Sequence, residues 1–457
     1  GGPAKVAVIS SALMGTVSGS SVANTVGTGS FTIPMMKSMG YRPQFAGAVE
    51  ASASTGGQIM PPVMGAAAFL MVDSVGLPYA DIVKAAVIPA VLYFSGILLI
   101  IDLESKKHNL LGMPKDQMPK LGKIMSERGH LMAPLLIIIY VLVGTSLTPA
   151  FAALIGIAVA AVIGYIKTLL DFIVPGNKDI NTIMEQRSGL KGRDYLQCLE
   201  TGARGVLSVA LACGTSGIVS GIITVTGIGA RIGDGFAQLA GGNLMLLLFF
   251  TMITSIILGM GVPTTANYII TSSVMAPVVI KAMAIALPEL VESLTALGGG
   301  YVKLPAHMFT FYFGIVADIT PPVCLAAMAG AAIAKADPIK TGFEATRLAI
   351  AAFLIPYMFI FSPQLLMIDA PWYDILRMMA ASLIGMFGVA MFMQKFYLSR
   401  LNIIQQVMAL AGGLLLIDPG LMTDIMGIGL VALVIIWNRF QTKGKIIPIT
   451  PKVHKAA

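Results

Sequence analysis

The segment GMGVPTTANYIITSSVMAP, residues Gly259–Pro277, follows the apolar run Asn243–Leu258 and sets Thr264, Thr265 and Asn267 between two hydrophobic stretches. A second segment, GTVSGSSVANTVGTGSFTIP at Gly15–Pro34, has the same build. Asn24 precedes Pro34 by ten residues, and Asn267 precedes Pro277 by ten. In that register Ala23 matches Ala266, Ser21 matches Thr264 and Thr28 matches Thr271. Downstream, each copy has a double proline inside an apolar span: GGQIMPPVMGAAAF at Gly56–Phe69 and VADITPPVCLAAMAG at Val316–Gly330, with Gln58 at the position of Asp318. Each then leads to a helix containing one proline, Pro89 or Pro356. The order hairpin, broken span, helix therefore occurs twice.

The composition says what surrounds these segments. Of 457 residues, 56% are hydrophobic and only 11% charged, against roughly 25% charged in soluble domains. Apolar runs such as Pro149–Ile166 and Gly420–Trp437 approach the ~20 residues that cross a bilayer. Continuous apolar runs exclude a barrel, whose strands alternate, and lipid-exposed open sheets are excluded because their backbone groups would go unpaired. The chain reads as an all-α polytopic membrane protein. Its net charge of +8 sits in the loops between spans, so nucleic acid is not an expected partner. Three scattered cysteines and four histidines show no metal-ligand spacing. The first residue is Gly1, inside an apolar segment, and a longer protein with further spans upstream is expected.

Four regions follow: a first repeat over residues 1–104, connecting loops and spans over 105–242, a second repeat over 243–368, and a C-terminal extension of about three helices with a basic tail over 369–457. If each polar segment is a re-entrant hairpin and the other apolar segments cross, Lys84, Arg231, Lys281, Lys303 and Arg377 fall on one face, and the remaining 25 of 30 Lys and Arg fall on the other. The richer face, which includes the C-terminal tail, is expected in the cytoplasm. The two repeats then have opposite orientations. Inverted repeats with interrupted helices are characteristic of secondary transporters.

The residue types fit that reading. Glycine lets carbonyls turn at φ values other residues avoid, and proline leaves a carbonyl without its donor. Serine, threonine and asparagine add neutral oxygens. Such a set suits Na⁺, and helix N-termini at the same depth attract an anion. Asn24 and Asn267 recur at equivalent positions, and Asp318 is the one acid placed in a polar break, so these three are read as functional. Lys37 and Arg42 are expected to anchor the base of the first hairpin. The spacings Gly15/Gly19 and Gly217/Gly221 are expected to mark close helix packing. Asp234, in the sequence RIGDG, is expected to cap an interfacial helix.

The segments at Gly15–Pro34, Glu50–Phe69, Gly259–Ile269 and Asp318–Gly330 together resemble the large membrane subunit of tripartite ATP-independent periplasmic (TRAP) transporters, most of all the fused permease used with TAXI-type binding proteins; the resemblance covers about residues 1–368. It implies an inverted-repeat, elevator-type transporter with two re-entrant hairpins and two broken helices in a bacterial inner membrane. It also implies a Na⁺ gradient as driving force (H⁺ in some members), a periplasmic substrate-binding protein and a small-subunit membrane domain as partners, and a small organic anion such as a dicarboxylate or 2-oxoacid as substrate. The family's binding elements fall here on Ser18, Ser20, Ser21, Asn24 and Thr28; Gly57, Gln58 and Pro61; Gly259, Gly261, Thr264, Thr265 and Asn267; and Asp318, Thr320 and Pro321. The expected Na⁺ ligands are Ser20, Asn24, Gly57, Gly261, Asn267 and Asp318. No catalytic residue is expected. Two alternatives stand beside this reading. One is a stand-alone Na⁺/dicarboxylate symporter of similar architecture. The other is a membrane enzyme such as an intramembrane protease, which would need a partner acid for Asp234 or a base for Ser216.

Overall fold

The fold is described from a computed structural model covering residues 1–110, 112, 122, 125, 129–145, 147–173, 192–417 and 420–449. These residues build helices in this order: α1 (Gly2–Ser18), α2 (Ser21–Ser38), α3 (Pro43–Gly56), α4 (Ala67–Val75) and α5 (Tyr79–Lys107); α6 (Ala133–Gly144), α7 (Pro149–Ile173) and α8 (Gly192–Thr226); α9 (Ile228–Ala240), α10 (Leu244–Gly259), α11 (Thr264–Ala286), α12 (Pro288–Leu297), α13 (Gly299–Val316), α14 (Leu325–Ala334), α15 (Pro338–Leu348) and α16 (Ile350–Phe361); and α17 (Trp372–Gln394), α18 (Ile403–Leu415) and α19 (Leu421–Thr442). Among the described residues, six helical segments are long and apolar enough to cross a membrane. The chain is an all-α, multi-pass membrane protein. It forms two compact units, one of Gly1–Met113 with Thr215–Ala457 and one of Pro114–Gly214. In the smaller unit the Tyr195 hydroxyl donates to the Ala161 carbonyl at 2.9 Å. Much of the expected charged loop after Asp171 and of the basic loop after Glu104 lies outside the described residues.

The contacts at the helix ends of the larger unit give the direction of each repeat. At one end, Lys37 donates to the last carbonyl of α14, Ala334, at 2.7 Å, and Arg42 pairs with Glu104 at 3.0 Å and Glu344 at 3.4 Å. Lys5 pairs with Asp102 there at 2.6 Å. At the other end the start of α13 lies against Val75 and Leu77, and Tyr301 donates to Asp81 at 3.3 Å. So α3–α4 runs from the first end to the second, and α13–α14 runs back. The two broken helices are antiparallel, as an inverted repeat requires. Lys37 and Arg42 tie down the base of the first hairpin, as expected.

Close backbone approach holds the repeats together. A Cβ on Gly330 of α14 would stand 2.6 Å from the Gly47 carbonyl oxygen of α3. A Cβ on Gly15 would overlap Gly57, and one on Gly19 would overlap Gly65. The Gly15/Gly19 pair thus marks close packing, as its spacing suggested. The Gly217/Gly221 pair does not: a Cβ on either would meet nothing within 4 Å among the described residues. Around α13, Tyr312 stacks edge-on to Phe359 with centroids 5.7 Å apart, and Phe309 to Phe313 at 4.8 Å. The C-terminal helices α17, α18 and α19 pack through glycines 385, 388, 412, 413 and 427, the small-residue contact common between membrane helices. They brace the first repeat: Gln394 donates to the Ile100 carbonyl of α5 at 3.3 Å.

Because Gly15 faces backbone, Gly15→Val is expected to lower stability by about 1–3 kcal/mol through overpacking, while Gly217→Ala changes it little. Thermal unfolding of the two variants in detergent checks this. Equal midpoints would mean that α1 does not rest on Gly57.

Candidate functional site

The first hairpin turns in two residues. Gly19 takes a left-handed φ of 60° and closes α1 with its N–H on the Gly15 carbonyl. Ser20 caps α2 by accepting the Ala23 N–H at 3.3 Å. The second hairpin turns through Met260–Pro263, with Gly261 at φ 75°. Here α11 begins without a side-chain cap, which leaves its first amides to another partner. The Thr264 hydroxyl donates to the Gly19 carbonyl at 3.4 Å, so the two tips touch. Hairpins whose bases lie at opposite ends meet this way.

The two breaks share one design. Each has a cis proline pair, Pro61-Pro62 and Pro321-Pro322, and then a left-handed residue, Met64 or Cys324. Freed carbonyls find hydroxyls: Tyr79 donates to the Pro62 carbonyl, and Thr346 to that of Ile319 at 3.0 Å. Thr320 donates to Val316 within its own turn at 2.8 Å. Across the break, the Ala326 N–H donates to the Asp318 carbonyl at 2.9 Å.

Asp318 joins the halves. Its Oδ2 accepts from the Ser21 hydroxyl at 2.6 Å and from Gln58 Nε2 at 3.2 Å. One residue comes from the first hairpin, one from the first break, and the acceptor from the second break. All three are buried. Gln58 and Asp318 occupy equivalent positions in the repeat, so their contact marks where the two copies meet.

Asn24 and Asn267 sit alike in their own halves, and no hydrogen bond joins them among the described residues. Asn24 Nδ2 donates to the Ser11 carbonyl at 2.9 Å, and the amide lies beside Gly57. Asn267 lies against Gly259 and Gly314. In both, Oδ1 is buried without a donor, as are Gln58 Oε1 and Ser18 Oγ. Thr28 and Thr271 both bond the carbonyl of their asparagine at 2.8 Å. Thr265 is buried beside Thr264. Among the described residues a Cβ on Gly261 would meet only Val323 within 4 Å, and Pro61 and Pro321 open the two proline pairs. The Ser20 oxygen accepts as a cap, and Thr320 uses its hydroxyl proton within its own turn.

A model of the family described as "Tripartite ATP-independent periplasmic transporter, DctM component" matches residues 1–372, and those residues hold both hairpins and both breaks. The chain belongs to the DctM family. The DctM match is to a transporter permease component, and the C-terminal helices α17, α18 and α19 follow it. An uncharacterized protein of Sinorhizobium fredii, y4mL, is 26% identical over 159 residues, 34% of this chain and 37% of that protein.

Sequence reading of the DctM component missed two features. The first is a cavity of about 550 Å³ beside the second hairpin, lined by Lys281, Lys303, His307, Tyr268, Ser272 and Ser273 among others. Tyr268 and His307 share a hydrogen bond of 2.9 Å. Both lysines lie outside the polar breaks, in apolar stretches of helix that give no sign of a binding site. Lys281 also pairs with Asp234 at 2.6 Å. Asp234 is inside α9 and does not cap it, a correction to the expected role. The second feature is Glu50, fully buried on α3 one helical stretch before the break, and therefore outside the motif that drew attention to Asp318.

Asp318→Ala should destabilise the protein by about 1–3 kcal/mol, since it strands two buried donors. Asp318→Asn, which keeps an acceptor oxygen, should cost less. Chemical unfolding of both variants measures the order, and equal losses would show that the acceptor is not what matters.

Proposed function

We propose that this DctM component is the permease of a secondary active uptake system for small organic acids such as dicarboxylates or 2-oxoacids, coupled to Na⁺ with H⁺ as the alternative ion. The carrying observation is the set of buried, donorless oxygens at Asn24, Gln58 and Asn267 around the Asp318 junction. Buried acceptors without donors call for an explanation. A monovalent cation supplies one: it takes neutral oxygens without requiring many charges. Asp318 contributes the one carboxylate at the tips. Binding there draws hairpin and break residues from both halves together, which links ion occupancy to the shape of the space between the tips. The carboxylate of a substrate is met by the open N-terminus of α11 and, on its way in, by Lys281 and Lys303 in the adjoining cavity.

The family description, a component of a tripartite periplasmic transporter, supports a periplasmic binding protein and a small membrane subunit as partners; a TAXI-type fused arrangement fits the sequence resemblance. In this reading the repeats at 1–104 and 243–368 move as an elevator against scaffold helices, in a bacterial inner membrane with the C-terminal tail in the cytoplasm. A stand-alone Na⁺/dicarboxylate symporter of similar build is the second reading, and uptake that persists without any binding protein would favour it.

The test is uptake of candidate acids into proteoliposomes with purified binding protein, under imposed Na⁺ or pH gradients. Asn24→Ala and Asn267→Ala should each weaken the apparent Na⁺ affinity about tenfold, the value of one contact near 1.4 kcal/mol. Unchanged Na⁺ dependence in both would remove the ion assignment. Lys303→Gln should raise KM for the acid more than it lowers kcat, and the reverse split would remove the lysine from the substrate path.

A further inference from the structure

Glu50 is the buried acid that the transport reading leaves unused. It is fully buried on α3, and four hydroxyls from three helices surround its carboxyl. Ser11 of α1 lies 2.7 Å from Oε1, Thr28 of α2 contacts the same oxygen, Thr32 of α2 contacts Oε2, and Ser54 of α3 is 3.5 Å from Oε1. Gly29 makes room: a Cβ there would stand 3.0 Å from Glu50 Cγ.

No cation faces this carboxyl among the described residues. On α1, Lys5 pairs with Asp102. On α2, Lys37 is bonded to the Ala334 carbonyl. Arg42, before α3, pairs with Glu104 and Glu344. On α15, Arg347 holds Glu344 and Gln394, and Lys340 is exposed. On α5, Lys107 donates to the Gln394 carbonyl, Lys106 pairs with Asp102 and the Tyr93 hydroxyl donates to the Ser52 carbonyl. Helix α14 brings no charged side chain within its span.

Each hydroxyl has one hydrogen, and Thr28 and Thr32 each have two acceptors in reach. Thr28 can donate to Glu50 or to the Asn24 carbonyl at 2.8 Å, and Thr32 to Glu50 or to the Thr28 carbonyl at 3.1 Å. With Glu50 ionised, Ser11, Thr28 and Thr32 turn their hydrogens to the carboxylate, and Ser54 can donate to Ser11 at 2.9 Å. With Glu50 protonated, its O–H donates to a threonine oxygen, whose own hydrogen swings to the backbone carbonyl. Both states are fully hydrogen-bonded, and they differ by one proton and by hydroxyl rotation, with no movement of heavy atoms required. An ionised carboxylate without a countercation is costly to bury, and hydroxyl donors offset part of that cost. In the second repeat the residue equivalent to Glu50, in the register of Gln58 and Asp318, is Thr310, so the cage belongs to the first half only.

We propose that Glu50 with Ser11, Thr28, Thr32 and Ser54 is a proton-binding site, separate from the Asp318 junction, that takes one proton from water and returns it to water. Its state reaches the hairpin tip through two bonds. When Glu50 is protonated and donates to Thr28, Thr28 gives its hydrogen to the Asn24 carbonyl, and Ser11 holds the Asn24 amide through its carbonyl. This deepens the ion-coupled reading and rests on it for its purpose, but the test needs no transport.

Difference infrared spectroscopy on the full-length permease, titrated from acid to alkaline buffer in H₂O and D₂O, reads the C=O stretch of a protonated carboxylic acid. Wild type should show a deuterium-sensitive acid band that disappears on alkaline titration. Glu50→Gln should lack it, and Asp318→Asn should keep it. Exchange of choline for Na⁺ at fixed pH should leave it in place. Thr32→Val, which removes one donor to the anion, should move the band's midpoint upward by about one pH unit, and this variant serves if Glu50→Gln fails to fold. No band at any pH, the same band in Glu50→Gln, a midpoint unmoved in Thr32→Val, or a band abolished by Na⁺ would overturn the proposal. Failure of uptake in proteoliposomes would instead count against the transport reading and leave this site standing.

Discussion

The hydrogen bonds from Ser21 and Gln58 to Asp318 join two halves of the chain at the depth where their helices stop. A helix that ends inside an apolar body leaves amides and carbonyls without partners, and lipid supplies none. The fold meets this constraint by bringing all four helix interruptions together, so that each supplies what another lacks. The Thr264 hydroxyl reaches the Gly19 carbonyl of the opposite tip, and Tyr79 and Thr346 take up carbonyls freed by the two proline pairs. Glycines allow the approach: Gly15 lies on Gly57 and Gly47 on Gly330, with no room for a side chain.

The two repeats agree in backbone and differ in charge. Both breaks have a cis proline pair and a left-handed residue, Met64 or Cys324, three positions after its first proline. The first half has Glu50 and Gln58 where the second has Thr310 and Asp318. The broken-helix segment of each half therefore has one buried acid, at exchanged positions. Asp318 sits at the meeting point, shared between halves, while Glu50 sits inside the first half and is served only by that half's hydroxyls. A single carboxyl at the junction can respond to both hairpins, whereas an enclosed one responds to protons through rotations that disturb little else.

The surroundings of the junction sort the polar groups by task. Hydroxyls with a backbone acceptor in their own turn, such as Thr320 and Thr271, repair the helices. The amide oxygens of Asn24, Gln58 and Asn267 remain without donors. Charged groups keep to the ends. Arg42, Glu104, Glu344 and Arg347 lace one end together, and Lys281 and Lys303 line the cavity near the other. The result is an uncharged middle apart from Asp318 and Glu50, approached through a basic opening.

The sequence by itself determined the class, the repeat and the order of its parts. Apolar run length, Gly and Pro punctuation and the spacing from asparagine to proline are local, and they need no contacts to be read. The distribution of lysine and arginine also implied opposed copies, and the antiparallel broken helices agree with it. Tertiary structure alone decided which polar groups meet. Nothing in spacing says that Gln58 touches its own repeat partner, that Asp234 pairs with Lys281, or that Gly217 faces open space while Gly15 faces backbone. Glu50 is the clearest case: it stands in an ordinary helical stretch, and its chemistry comes from Ser11, Thr28 and Thr32 on two other helices. A helix face shows which side chains are polar, but only packing shows whether they find water, a countercharge or each other.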